Sequence, residues 1–312
     1  MSTFFESGFV LNPDPYYKPA YRISPFNTSD LAKNMKQSYR DDIFENLDRR
    51  FKDLNWRFTK SGKESIKIAL ETLGLNRKDC VTILTTSGNS YISKCVTDVI
   101  EKVCAWSREI NSKTSAIFVN HEFGYPYRKL SSLLDYGVPI IEDACHSYFS
   151  NTTNLDMSHV GEFTIFSLPK AYPVQIGGLL IAKKEYEIDE SYTMDSTLNN
   201  YLISTLSNYI NDIDKAALNR IKNYNTLTEK FSNFGCTPYF EKLDNDVPGV
   251  FLFNVPKNVN LNSLKDYGWQ HGIECSVFYG ENAFFIPIHQ RLTPEDLNYF
   301  EAVFKSYLTK HV

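Results

Sequence analysis

The sequence predicts an α/β fold with a mainly parallel sheet, followed by a smaller α+β unit. Three observations carry this. Between residues 60 and 182, short apolar runs of strand length alternate with stretches of helical spacing. Such alternation covers both faces of a parallel sheet with helices. Two of the runs lead into polar groups suited to chemistry: Val138 to Ile141 ends at Glu142-Asp143, and Phe163 to Leu168 is followed by Lys170. Beyond residue 186 the pattern changes to a long polar helical stretch and then a few strands and helices.

The chain divides accordingly into an N-terminal arm (1–30), a large α/β domain (31–185) and a small C-terminal α+β domain (186–312). The arm holds Pro13, Pro15, Pro19 and Pro25 among aromatics and reads as irregular. Asn27 to Asp30 suits a helix start, and Leu31 to Leu54 has helical spacing. Ser61-Gly62 opens a helix with Ile66, Ala69, Leu70 and Leu73 on its apolar face, closed by Gly74. Its free amides suit either a phosphate or a plain N-cap. Gly62-Lys63 is no P-loop, because Arg57 and Glu64 stand where that motif needs Gly and Ser or Thr. Val81 to Leu84 is a strand and Tyr91 to Val103 a helix. Ser115 to Asn120 is a strand, and a helix through Leu130, Leu133 and Leu134 stops at Gly137. Phe163 to Leu168 and Leu179 to Ala182 are strands on either side of Lys170. Ser191 to Lys230 is predicted as one helical stretch with Leu202, Leu206, Ile210, Ile213 and Leu218 on its apolar stripe. Residues 248–255 and 284–289 are strands, Leu261 to His271 is a helix, and Thr293 caps the last one.

Composition narrows the function classes. With 312 residues, 42% hydrophobic and 22% charged, the chain has the make-up of a globular protein with a full core. The net charge of -4, without a basic patch, argues against a nucleic-acid partner. The six cysteines show no CxxC pair or zinc spacing, so no metal site is expected and a reduced, cytoplasmic compartment is. The first residues lack the features of a secretory signal, and no apolar run reaches the roughly 18 residues of a membrane span. An aromatic share of 14% suits packed sheets first and a ring-binding cleft second.

The acid-His cluster (Glu142, Asp143, His146), the lone Lys170 in an apolar setting and the Gly177-Gly178 pair form one pattern. A carboxylate ending one buried strand and a lysine following another suit pyridoxal phosphate (PLP) chemistry: the lysine forms a Schiff base and the acid holds the pyridine nitrogen. With these residues in view the chain resembles the DegT/DnrJ/EryC1/StrS sugar aminotransferases, PLP enzymes of fold type I. The resemblance spans roughly residues 55 to 305. Ile140 to His146 matches the family's VIEDAAQAHG block, and Phe166 to Lys170 with Gly177-Gly178 its FSF…K…GG block. Lys60 to Leu70 is similar to its SSGTAALHLAL helix, Asn120 to Gly124 to its VHLYG loop, and residues 286–296 to its LPLHP…LT.ED pattern.

The resemblance implies a fold-type I PLP-binding domain and a set of roles. Lys170 resembles the cofactor-bearing lysine and Asp143 the partner of the ring nitrogen. Tyr91 falls where an aromatic stacks on the ring. Ser167, Gly62, Lys63 and Glu64 fall where the phosphate is held, and Asn200 resembles an asparagine reaching it from the other subunit of a homodimer. The sequence departs from the family in five places: besides the three that follow, Leu202 stands where an Arg is common, and the chain before Trp56 is short and unlike the family's usual opening. Ser167 precedes Lys170 by three residues, not five; Lys63 replaces a Thr; and His146 replaces a Gln, where an imidazole would meet the PLP ring, bond its phenolic oxygen or sit in the core. The implied reaction moves an amino group from an amino acid, glutamate first, to a nucleotide-linked keto-sugar in cell-surface polysaccharide or related sugar biosynthesis. The alternatives are other PLP chemistry, such as dehydration, or a regulatory or scaffold protein that keeps the fold.

Overall fold

The computed structural model describes residues 20–150 and 160–311. Most of the predicted arm therefore lies outside the described residues. In chain order the elements are α1 (Asp30–Asn34), α2 (Asp42–Arg50), β1 (Leu54–Thr59), α3 (Gly62–Thr72), β2 (Cys80–Thr85), α4 (Lys94–Val103), β3 (Ala105–Ser107), β4 (Thr114–Asn120), β5 (Ile140–Asp143), β6 (Phe163–Ser167), α5 (Leu168–Ala171), β7 (Gly178–Lys183), α6 (Ser196–Leu206) and α7 (Ile213–Ser232). Then follow β8 (Thr237–Pro238), β9 (Val250–Asn254), α8 (Leu261–Gln270), β10 (Ser276–Phe278), β11 (Ala283–Pro287) and α9 (Pro294–His311).

Within the described residues the strands form two sheets. The larger has the order β1-β7-β6-β5-β4-β2-β3. The pairs from β6 through β5, β4 and β2 to β3 are all parallel, and β7 runs antiparallel to both β6 and β1. The predicted mainly parallel sheet is thus present. Its inner strands, β2 and β4 to β7, are largely buried on both faces, which explains their continuous apolar runs. One face packs Ile66, Ala69 and Leu70 of α3 with Val96 and Ile100 of α4. The other packs Leu202, Ile203 and Leu206 of α6 with Leu47 of α2 against Phe166, Leu179 and Ile181.

The smaller sheet, β10-β11-β9-β8, is antiparallel throughout. Its core runs from Tyr224 to Tyr307 and is strongly aromatic, with Phe231, Phe251, Phe253, Phe300 and Phe304 all buried. Thr293 caps α9 as predicted: its Oγ1 accepts from Asp296 N–H at 3.3 Å, and the Asp296 carboxylate accepts from Thr293 N–H at 2.8 Å.

Three element predictions need correction. Leu31 to Leu54 is not one helix. Positions 35–41 offer nothing to bury, so the helix breaks there, and Leu54 begins β1. The long stretch from Ser191 splits into α6 and α7 with a turn at 207–212: α6 packs in the core of the large sheet, and α7 starts there with Ala216 and runs on into the aromatic core with Tyr224, Leu227 and Phe231. Leu218, placed on the apolar stripe, is 67% exposed, because the stripe of α7 turns to Tyr224, Leu227 and Phe231. The helix predicted from Tyr91 starts at Lys94, which leaves Tyr91 in the preceding loop.

Candidate active site

Because β2, β4, β5 and β6 are parallel, their carboxyl ends open on the same edge of the sheet, where ligands of open α/β sheets bind. A cavity of about 180 Å³ lies there. The segment after β2 contributes Tyr91, Ser93 and Cys95, and β4 with its following loop contributes Asn120, Glu122 and Phe123. Asp143 and His146 come from the end of β5, and Lys170 from the turn after β6. The small sheet closes the far side with Ser276, Val277, Phe278 and Phe285. Four of the nine residues predicted from sequence therefore meet in one cavity: Lys170, Asp143, His146 and Tyr91.

Each is held differently. Asp143 is the last residue of β5 and is buried. Its Oδ1 accepts from Cys145 N–H at 3.0 Å, and its carbonyl accepts from His121 N–H at 3.0 Å. His121 is locked in turn. Its Nδ1 accepts from Tyr127 N–H at 3.0 Å, so Nε2 carries the proton and donates to Glu142 at 3.0 Å. The other Glu142 oxygen accepts from Gly161 N–H at 2.8 Å. Lys170 sits in the single turn α5, directly after β6. The shortened spacing from Ser167 thus becomes a helical turn rather than a free loop.

The His146 ring lies against Phe123, centroids 5.7 Å apart. Burial, then the charges of Lys170 and Arg220, hold its pKa well below the ordinary imidazole value, so it is neutral. Its Nδ1 is buried with no hydrogen-bond partner among the described residues. Tyr91, 44% exposed, stands at the mouth against Tyr279, with ring centroids 5.4 Å apart.

The other predicted residues lie beside the cavity. Gly62 is the first residue of α3, and a Cβ there would come within 3.1 Å of Cys145 Sγ and 3.6 Å of Ser167 Cβ. Gly62 and Ser167 therefore converge behind Asp143. Glu64 caps α3: its N–H donates to Ser61 Oγ at 3.3 Å and its carboxylate accepts from Lys60 N–H at 2.6 Å. Lys63 is exposed, and Asn200 is exposed on α6.

Sequence reasoning gave no role to Glu122, Phe123, Phe278 or Phe285. Glu122 is buried, and its carboxylate accepts from Ser87 N–H at 2.7 Å. Burial raises its pKa above the usual carboxylate value, against the lowering effect of Ser87 and Arg108. Phe123 takes a left-handed backbone, φ 55°, and packs on Phe278 and Phe285 at 5.4 and 5.0 Å. The next residue must be Gly: at Gly124, with φ 96°, a Cβ would lie 2.5 Å from Val247 O. The Phe-Gly pair inside the loop was the available sequence signal.

These residues fit PLP. An amine, a carboxylate and a neutral imidazole line one cavity with an aromatic at its mouth, and one imidazole nitrogen has no partner among the described residues. Among the described residues no His, Cys, Asp and Glu cluster suits a metal ion.

Comparison with known proteins agrees. No curated protein matches the chain. Among solved structures, the aminotransferase TlmJ from Streptoalloteichus hindustanus superposes with a TM-score of 0.72 at 13% identity, covering 93% of this chain and 98% of that one. A structure titled "putative sugar aminotransferase Spr1654" from Streptococcus pneumoniae gives 0.71 at 15% identity, covering 94% and 98%. A DegT DnrJ EryC1 StrS aminotransferase from Brucella abortus gives 0.64 at 13%, covering 89% and 93%. At these identities the likeness shows the fold. Residues 50–232 match a family model described as "Putative PLP-dependent aminotransferase", which covers more than half of the chain and places it in the family of PLP-dependent aminotransferases.

Proposed function

We propose that this aminotransferase carries PLP on Lys170 and transfers an amino group from an amino acid, glutamate first, to a keto-sugar, nucleotide-linked, in cell-surface polysaccharide or related sugar biosynthesis. The observation that carries the site assignment is the meeting of Lys170, Asp143, His146 and Tyr91 on one cavity. The sugar rests on the family resemblance and on the likeness to the sugar aminotransferase Spr1654 of Streptococcus pneumoniae.

When bound, PLP supplies an electron sink for the bond broken at the amine-bearing carbon of the substrate. The residues supply the rest. Lys170 Nζ is the attachment amine and then the base and acid that moves a proton at the substrate carbon. The Asp143 carboxylate, fixed by Cys145 N–H, holds a proton at the ring nitrogen. His146, being neutral, offers one ring nitrogen as donor or acceptor without adding charge. Phe123, Phe278 and Phe285 exclude water from the reacting side. Ser167 and the amide of Gly62 are the phosphate holders in this reading, with Lys63 and Glu64 beside them and Asn200 reaching across a homodimer.

The test is spectroscopic. The purified chain with PLP should be yellow, fix the cofactor to Lys170 under borohydride, and bleach with glutamate. The bleached form should regain colour with a nucleotide-linked keto-sugar. A chain that takes up PLP but ignores amino donors would refute amino transfer.

A further inference from the structure

A buried arginine stands behind the attachment lysine. Arg220 on α7 is 2% exposed. Its Nη2 donates to Lys170 O at 2.7 Å and its Nε to Gln290 Oε1 at 2.9 Å. Gln290 in turn donates from Nε2 to Ala171 O at 2.7 Å. These are the last two carbonyls of α5, a single turn that has no further residue to satisfy them. Asn223, one turn along α7, holds the loop that carries Gln290 by donating to His289 O at 3.0 Å.

The charge itself is unusual. Among the described residues Arg220 meets no carboxylate; its remaining contact is the face of Phe149, 4.8 Å from the guanidinium carbon. Burial alone lowers its pKa to about 9. A buried cation that meets no carboxylate among the described residues carries a desolvation cost, which its hydrogen bonds to Lys170 O and Gln290 Oε1 only partly offset. Its field also bears on the two nearby imidazoles, His146 and His289, both held neutral.

We propose that Arg220 and Gln290 are positioning residues: together they grip the Lys170 and Ala171 carbonyls and so fix where the lysine side chain enters the cavity. This rests on the reading of Lys170 as the attachment amine. The clamp comes from α7 and the loop after β11, so the side of the molecule that holds the small sheet sets the geometry of a residue on the large one.

Three full-length variants test it: Arg220→Met, Arg220→Lys and Gln290→Met. PLP is mixed with each apoprotein, borohydride is added at intervals, and the modified peptide is followed by mass spectrometry; the melting temperature of the apoprotein is read in parallel. In Arg220→Met and Gln290→Met the rate of Lys170 modification should fall about tenfold, since small misplacements of a reacting group carry costs of this order. Arg220→Lys should recover part of the rate. The melting temperature of Arg220→Met should fall by a few degrees, because Lys170 O and Gln290 Oε1 lose their donor, while the chain stays folded and the rate remains readable. Wild-type modification rates in Gln290→Met and Arg220→Met would overturn the clamp. If Arg220→Met does not fold, Gln290→Met decides alone, because it removes the two hydrogen bonds of Gln290 and leaves the charge. Modification of a different lysine in the unaltered chain would overturn the Lys170 reading and the clamp with it, a result distinct from an unchanged rate at Lys170.

Discussion

The two sheets divide the work of the site. The face of the large sheet under α3 and α4 is filled mainly with Ile, Val, Leu and Ala, and the carboxylates, imidazole and amine of the cavity lie at that sheet's carboxyl edge: Glu122, Asp143, His146 and Lys170. The antiparallel sheet is filled with Phe, and it gives the cavity only Ser276, Val277, Phe278 and Phe285. One sheet therefore supplies reactivity and the other supplies shape. Parallel strands suit the first task because their ends converge with buried, hydrogen-bonded backbones. Aromatic faces suit the second because they exclude water without competing for protons.

This division can be broken in graded steps. Replacing Lys170 by Ala should remove borohydride labelling and lower turnover by about a thousandfold or more, with the fold intact. Unchanged labelling would move the chemistry elsewhere. Phe253→Ala, in the middle of the aromatic core, should cost about 3–5 kcal/mol of stability, read as a lower urea midpoint, and leave the kinetics of the surviving folded protein unchanged. Phe253 is fully buried and stacked on Phe251 at 4.8 Å. Asp143→Asn should keep PLP binding but slow amino transfer roughly a hundredfold, measured as kcat. Phe285→Ala, on the shape-giving wall, should raise KM for the amino acceptor about tenfold with little change in kcat; a large kcat effect would end the division of labour.

Near neutral pH, the smallest effect is one of protonation. His289 is buried, and burial, then Arg220 and Arg291, bring its pKa down to about 3. The unfolded chain binds its proton near pH 6.5, so the neutral folded form contributes full stability above that pH. The contribution falls as pH drops from about 6.5 toward 3, by at most about 1.4 kcal/mol per unit. His289→Asn should flatten this slope, and the difference between the two urea-midpoint curves isolates His289 from the parallel contribution of His146.

Much of the large sheet was legible because its strands are continuous apolar runs with Gly at the turns. Asp143 and Lys170 were legible because charge placed straight after such runs is conspicuous. Strand β1 was missed although Leu54, Trp56 and Phe58 alternate, since the charged helical segment before it hides where the period changes. Leu218 was misplaced because a helical stripe drawn through two helices drifts off the buried face. Arg220 looked like one more polar residue on a polar helix. Only its depth and its bond to Lys170 O reveal it, and both depend on contacts distant in sequence. Phe278 and Phe285 were hidden for the same reason.

The placing of β1 beside β7 bears on how the polypeptide is made. Among the described residues β1 is the first strand and pairs with β7 alone, with Leu54 opposite Lys183 and Thr59 opposite Gly178. Until β7 emerges, β1 has no strand partner among the described residues, and the central parallel strands must assemble without it. Closing so long a loop is slow. A nascent chain halted between β6 and β7 should therefore be protease-sensitive at Leu54–Thr59, and adding β7 should protect that segment.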